Sequence, residues 1–337
     1  MASHPAQNLE PTSILAAVAE LGVGGNGAFI DGEFNGGECR IFKISFNGQT
    51  SIAVRVPHQV DDQDDIIAIV QTEVRILQKL DEKGFRWSPR CCGFSLTFDN
   101  PIKYPFIILT WVEGSPLTWD DNFPLQLLRG ALLDQIASIQ LSLITCTQEN
   151  RSTSAATFFQ RRMKNRSTQV REGIIPGLSE EDCISQQALV CRVLGQDQHD
   201  TAFAVEHGDI KPNNIIVDEN YNIKCIIGSV IDWGCATFVP ISKAAGLPRF
   251  LWSSDTDPAG VAPSQSLLKD IRAYIAYFSS QTLPMALSMP HLNNTEDMYF
   301  RNLCLESTSS KQVHVSMARA GWKLPYSELL KDAEDHE

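Results

Sequence analysis

Residues 207 to 214 read His207-Gly208-Asp209-Ile210-Lys211-Pro212-Asn213-Asn214, and a second acidic motif follows in Asp232-Trp233-Gly234. The spacing suits phosphoryl transfer from ATP. That reaction asks the protein for positioning and charge stabilisation more than for covalent chemistry. The attacking hydroxyl needs a group that orients it or takes its proton, and Asp209 can do either. The phosphates travel with Mg²⁺, which takes hard oxygen donors, one or two of them from side chains. Asn214 offers an amide oxygen at the end of the same loop, and Asp232 offers a carboxylate from a later strand. The apolar run Ile215-Ile216-Val217, a turn through Asp218 to Asn222, and the run Ile226 to Ile231 form a hairpin that brings Asn214 and Asp232 together. The plainer reading is a polar turn followed by an unrelated buried Asp-Trp pair.

Phosphates also need a cover, and the earlier part of the chain provides a pattern for one. Gly32-Glu33-Phe34-Asn35-Gly36-Gly37 precedes Cys39 to Phe46, whose alternation predicts a half-buried strand. Asn47-Gly48 is a type I′ hairpin signal, and Ser51 to Val56 is the returning strand, closed by Pro57. Backbone amides at Gly36 and Gly37 can approach phosphate oxygens because no side chain intervenes. An ordinary hairpin fits the same residues. Gly22-Val23-Gly24-Gly25-Asn26-Gly27 is a literal GxGxxG, but a helical segment precedes it and strand-like residues follow, the reverse of what a dinucleotide fold requires. It reads as a linker after a short helix capped by Ser13 and running through Leu21.

Asp61-Asp62-Gln63-Asp64-Asp65 suits the positive end of a helix, and apolar residues recur at helical spacing from Ile66 to Leu80. Glu73 lies on the side of this helix shared with Val70 and Leu77, where an unpaired charge is costly. Pro105 to Gly114 predicts a buried strand ending in a polar turn. Leu125 to Ile144 predicts an amphipathic helix with Leu127, Leu128, Leu132 and Ile136 on its core face. Residues 148 to 182 are polar and basic, a substrate-side insertion or a set of solvated helix faces. The aromatic loop Leu247 to Trp252 is a candidate for shaping an acceptor pocket or for packing, and Ser266 to Phe278 predicts a further helix.

At its central motifs the chain resembles the aminoglycoside phosphotransferase branch of the kinase-like superfamily, in particular the fungal phosphotransferase enzyme family. Gly208 after His207 and Val230-Ile231 before Asp232-Trp233-Gly234 carry the resemblance. It implies an α+β, protein-kinase-like two-lobed fold. A small antiparallel-sheet lobe with one helix is expected over residues 1–112, with 1–28 as a flexible or helical extension. A larger, mainly helical lobe is expected over 113–337. The resemblance places Arg55 where these proteins carry a strand lysine, pairs it with Glu73, and assigns the backbone of Thr110, Trp111 and Val112 to the nucleotide base. It assigns Asp209 to catalysis, Asn214 and Asp232 to Mg²⁺, and ATP as the phosphoryl donor. Arginine keeps the charge of lysine but is longer and planar. The run Cys225 to Ile231 looks a few residues long for this family, which puts the register of Asp232 in question.

The chain has 337 residues and a net charge of −12, a balance that disfavours nucleic acid and anionic membranes as partners. Its nine cysteines show no zinc spacing, and a reducing cytosol is the simplest setting. No basic segment with an apolar core opens the chain, and no apolar run approaches the 18 residues of a membrane span. The expected activity is transfer of a γ-phosphoryl group to the hydroxyl of a small molecule in the cytoplasm. Two other readings compete. Lys211-Pro212 fits a protein kinase, although no Ala-Pro-Glu follows Asp232. Arg55 and the thin glycine loop fit a kinase-fold protein that holds nucleotide without turnover.

Overall fold

The computed structural model describes residues 9–36, 39–58, 62–226, 237–282 and 295–326. In chain order its elements are α1 (Pro11–Glu20), β1 (Phe29–Asn35), β2 (Cys39–Phe46), β3 (Gln49–Pro57), α2 (Gln63–Glu82), β4 (Cys91–Ser95), β5 (Phe106–Thr110) and β6 (Ser115–Pro116). Then come α3 (Gln126–Thr147), β7 (Glu149–Asn150), α4 (Ala155–Arg171), α5 (Glu180–Leu194), β8 (Ala202–Glu206), β9 (Ile215–Val217) and β10 (Ile223–Ile226). The last are β11 (Thr237–Pro240), α6 (Ile241–Ala244), α7 (Gln265–Thr282), α8 (Thr295–Ser307) and α9 (Lys311–Arg319).

These elements form two compact units, Met1–Leu117 with His207–Thr237 and Thr118–Glu206 with Phe238–Glu337. This is not the single cut after residue 112 that the sequence suggests. Strand pairing is the reason. β9 takes β10 on one side and β6 on the other, and the Ile226 N–H donates to the Trp87 carbonyl at 2.8 Å. Those bonds fold the segment after His207 onto the N-terminal unit.

The first unit is built on a five-stranded antiparallel sheet in the order β1-β2-β3-β5-β4. Alternation along β2 puts Phe42, Ile44 and Phe46 on the buried face, where they meet Val54, Val56, Phe106 and Ile108. A turn forms at Asn47-Gly48, but only Gly48 takes a left-handed φ, 72°, so it is not the type I′ turn that the sequence predicts, which needs positive φ at both residues; the strand register shifts between Ile44 and Phe46 instead. Ile14, Ala17 and Val18 of α1 complete this core, each large side chain contributing about 1.5–3 kcal/mol by burial. α1 starts at Pro11 after Glu10, with no side-chain cap, so Ser13 lies inside the helix instead of capping it. Proline presets the first-turn φ and lacks an N–H that would go unpaired there. α2 begins as its acidic cluster predicts. Asp62 accepts from the Asp64 N–H at 2.8 Å, and Asp64 and Asp65 lie in the first turn.

The second unit is mainly helical. α3 packs against α7 and buries Leu132, Leu133, Ile136, Ile139 and Ile144. Leu127, expected on that face, is 94% exposed, because it lies in the first turn before the packed stretch begins. At 22 residues α3 is long and apolar enough to cross a membrane by length and composition, contrary to the sequence expectation. More than half of its apolar window is buried within the protein, as in the core helix of a globular domain. The basic segment forms α4 and the start of α5, and its faces are not all solvated. Arg166 is buried and donates to the Ser309 carbonyl at 3.0 Å. α5 opens with a capping box, Ser179 and Asp182 bonding each other's backbone. Lys243 is buried between Glu206 at 2.9 Å and Glu306 at 2.5 Å. Burial works against its charge, and the two carboxylates together more than offset that, so its pKa rises. The aromatic loop forms one turn at Arg249–Leu251 that buries Leu251 and sets Phe250 edge-on to Trp119.

Candidate active site

The loop from His207 to Asn214 ends in a single 3-10 turn, Pro212–Asn214, that leads into β9. Gly208 takes a left-handed φ of 80°, which a side chain there would resist. That bend lets Asp209 turn back on the loop. Its N–H donates to His207 Nδ1 at 3.3 Å. Its carbonyl accepts from Asn214 Nδ2 at 2.8 Å, and its carboxylate accepts from the same nitrogen at 3.2 Å. Lys211 Nζ lies 2.5 Å from Asp209 Oδ2. The carboxylate is thus buried, held at two points and partly neutralised. A carboxylate fixed this way can accept a hydrogen bond from a hydroxyl without first being oriented.

His207 is buried beneath the loop. Burial pushes its pKa down to about 4, against the opposing pull of Asp209. The ring is therefore neutral at pH 7, and Nδ1 serves as the acceptor for the Asp209 N–H, which assigns its proton to Nε2. The ring thus braces the backbone of the loop at Asp209.

Arg55 on β3 and Glu73 on α2 form an ion pair with both side chains buried, 4% and 2% exposed. Arg55 Nε also donates to Cys39 Sγ at 3.3 Å. The pair lines a pocket of about 330 Å³ that lies wholly within the first unit. Thr110, Trp111 and Val112 line the same pocket, so five of the residues named from the sequence converge on it. Ala53, Leu109 and Ile216 supply apolar walls. The backbone at its edge is partly committed. Thr110 N–H donates to the Arg90 carbonyl at 3.0 Å, and Trp111 N–H donates to the Ser51 carbonyl at 3.2 Å.

Gly36 is placed differently from expectation. Its N–H donates to the Cys39 carbonyl at 3.0 Å, and its own carbonyl lies 3.0 Å from His58 Nε2. Its amide closes the β1–β2 turn and is not presented to a ligand. Gly37 and Asp232 lie outside the described residues, as does Ile227 to Ile231, most of the run that looks long for the family.

Sequence reasoning missed three contributors. Phe34 of β1 stacks on Trp111, with ring centroids 5.6 Å apart. Lys43 of β2 sits 5.1 Å from the Trp111 ring centre and bonds Asp31 at 3.0 Å and Glu113 at 3.3 Å. Gly114 has φ 145°, and a Cβ there would meet the Val217 carbonyl oxygen at 2.5 Å. An aromatic inside the glycine-rich stretch and a lysine at an alternating strand position were the available signals. Neither signal names the partner.

The residues fit a nucleotide and its metal in kind. The pocket has the size and apolar walls of a ligand site, with a guanidinium available for phosphate. Asn214 turns its amide NH₂ toward Asp209, so its other end is an oxygen, the donor a hard cation takes.

The profile of the phosphotransferase enzyme family matches residues 48–243, more than half of the chain. Among solved structures, the chain is similar to a Ralstonia eutropha protein provisionally described as an aminoglycoside phosphotransferase. That likeness has a TM-score of 0.62 at 16% identity and covers 95% of this chain and 98% of the other. It is also similar to ethanolamine kinase from Plasmodium vivax, with a TM-score of 0.54 at 13% identity and coverage of 91% and 84%. At these identities the likeness concerns the fold, an antiparallel-sheet N-terminal lobe with a helical C-terminal part. A shorter stretch of 78 residues is 31% identical to altered inheritance of mitochondria protein 9, mitochondrial, from Kluyveromyces lactis. That match spans 23% of this chain and 13% of the relative's length.

Proposed function

This chain belongs to the phosphotransferase enzyme family, and from that premise we propose that it is an ATP-dependent kinase phosphorylating the hydroxyl of a small molecule. The observation that carries the proposal is the grip on Asp209, whose carboxylate is fixed by Asn214 and Lys211 and whose amide is braced by His207. A carboxylate fixed in this way suits the orienting of a hydroxyl.

Each residue then has a task. Arg55, held in place by Glu73, grips phosphate oxygens. The pocket walls and the Thr110 to Val112 segment receive the base. Asn214 and Asp232 hold Mg²⁺, which when bound neutralises charge on the phosphates. Asp209 accepts a hydrogen bond from the acceptor hydroxyl and takes its proton late, because a loose transition state asks for orientation more than for a strong base. Lys211 offsets the negative charge that Asp209 brings toward the phosphates. The acceptor is proposed to be a cationic amino alcohol or amino sugar. Support comes from the net charge of −12 and from the ethanolamine kinase and aminoglycoside phosphotransferase descriptions of the structural neighbours.

The test is ADP release by the purified protein with ATP and Mg²⁺ against amino alcohols, aminoglycosides, sugars and peptides. Turnover with a cationic small molecule that is lost in Asp209→Asn is the expected result. Turnover with peptides alone would overturn the acceptor class. Firm nucleotide binding with no turnover on any acceptor would favour the second reading, a nucleotide-holding protein, for which Arg55 in place of lysine is the motivating observation.

A further inference from the structure

We propose that the rings of Phe34 and Trp111 form a gate across the nucleotide pocket, one that must part before a base can enter. The proposal rests on the nucleotide reading above and goes beyond it, because it says what sets the rate of entry.

The gate follows from strand order. β2 and β3 lie between β1 and β5 in the sheet. Neighbouring strands are about 4.8 Å apart, so β1 and β5 are separated by about 14 Å. Phe34 is on β1, and Trp111 directly follows Thr110 at the end of β5. Register sets Phe34 opposite Ile41, and Ile41 opposite Arg55, in one row across the sheet. That row is on the face turned away from Phe42 and Val54, whose side chains fill the core. Ile41 and Ala53, from the two intervening strands, line the pocket. Phe34 and Trp111 line it as well, and their rings meet over those strands, centroids 5.6 Å apart and planes 28° from parallel.

The contact closes that side of the pocket. A flat ring lying between two others needs about 3.5 Å on each face, or about 7 Å between the outer centroids. At 5.6 Å the two rings leave no room for one.

The gate is lightly held on one side and firmly on the other. Phe34 is 49% exposed and lies outside the buried core. Its ring rests over the bare backbone of Gly32, where an added Cβ would come within 3.2 Å of it. Trp111 is half-buried, and Lys43 Nζ, paired with Asp31 and Glu113, lies 5.1 Å from its ring centre. Phe34 is therefore the part that moves. A stacked aromatic pair favours the closed arrangement by about 2- to 12-fold. A ligand that can enter only the open form is slowed in proportion to the fraction of molecules that are open.

The test is stopped-flow binding of ATP carrying a fluorophore on its ribose to the full chain, native and with Phe34→Ala or Phe34→Tyr. Phe34→Ala is expected to raise the association rate constant by about 2- to 10-fold. Phe34→Tyr keeps the stack and is expected to leave that constant at the native value. An association rate unchanged by Phe34→Ala would overturn the gate, whatever happens to dissociation, because faster dissociation alone marks a plain contact with the ligand. Equal acceleration in both variants would overturn it too, since the stack survives in one of them. If the native protein binds no nucleotide, the nucleotide reading fails and the gate with it, and that is visible before any variant is made.

Discussion

Asn214 donates its side-chain amide to Asp209 twice, to the backbone carbonyl at 2.8 Å and to the carboxylate at 3.2 Å. One residue thus fixes both the path of the loop and the direction of its acid group. The five-residue spacing between them is what allows this, since one 3-10 turn at Pro212–Asn214 closes the distance. Under the proposed function, in which Asn214 would hold the cation and Asp209 would orient the hydroxyl, this contact would couple binding of the cation to readiness for transfer.

Asp209→Asn keeps the shape of the side chain and removes its charge. Turnover is expected to fall by about 10²- to 10⁴-fold, with nucleotide affinity little changed. Steady-state ADP release beside calorimetric nucleotide binding checks both halves. Near-native turnover with the true acceptor would remove Asp209 from the mechanism.

Arg55 and Glu73 can be separated by a double-mutant cycle. Removing either partner leaves a buried charge uncompensated, and Glu73→Ala alone is expected to destabilise by about 3–5 kcal/mol. Arg55→Met with Glu73→Leu replaces the pair by apolar groups of similar bulk and should recover most of that stability. Nucleotide binding should not recover, because the guanidinium is gone. Urea denaturation and nucleotide titration of the four proteins decide the matter. A double variant that binds as well as the native protein would make the pair purely structural.

His207 and His314 set a pH dependence of stability. Burial holds both near a pKa of about 4, below the ordinary 6.5. The unfolded chain therefore binds more protons than the folded one between pH 6.5 and 4, and stability falls as pH falls through that window. Each fully buried ring contributes on the order of 3 kcal/mol over the window. His314→Phe, which keeps an aromatic against Trp322, is expected to flatten the slope of unfolding free energy against pH. An unchanged slope would show that the ring is accessible to protons in the folded state.

Gly114→Ala tests the backbone at the pocket edge. At φ 145°, with the Val217 carbonyl oxygen 2.5 Å from the added Cβ, an alanine cannot be accommodated without moving β6 from β9. A loss of about 1–3 kcal/mol is expected, the scale of a strained backbone position, with weaker nucleotide binding. Thermal unfolding checks the first part. A variant as stable as the native protein would show that the strand pair gives way cheaply.

Local chemistry was legible in the sequence. The position of the Asn47-Gly48 turn, the alternation of β2, the acidic start of α2 and the Asp209 to Asn214 spacing are short-range features, set by backbone geometry and side-chain period within about ten residues. Glu73 reads as a charge on an apolar helix face, where a counter-charge is demanded, and the family resemblance supplies Arg55 as its partner. Tertiary structure decided the rest. Only strand pairing shows that the segment after His207 belongs with the N-terminal unit, since β9 reads the same whichever neighbour it takes. Arg166 and Lys243 read as surface cations until α4 and α6 meet Ser309, Glu206 and Glu306 from distant parts of the chain. Leu127 reads as core until α3 is seen to start packing one turn later. The stacking of Phe34 on Trp111, and with it a candidate gate on the pocket, joins residues 77 positions apart. Sequence period specifies which face a side chain takes, while burial and partnership depend on what the rest of the chain brings to that face.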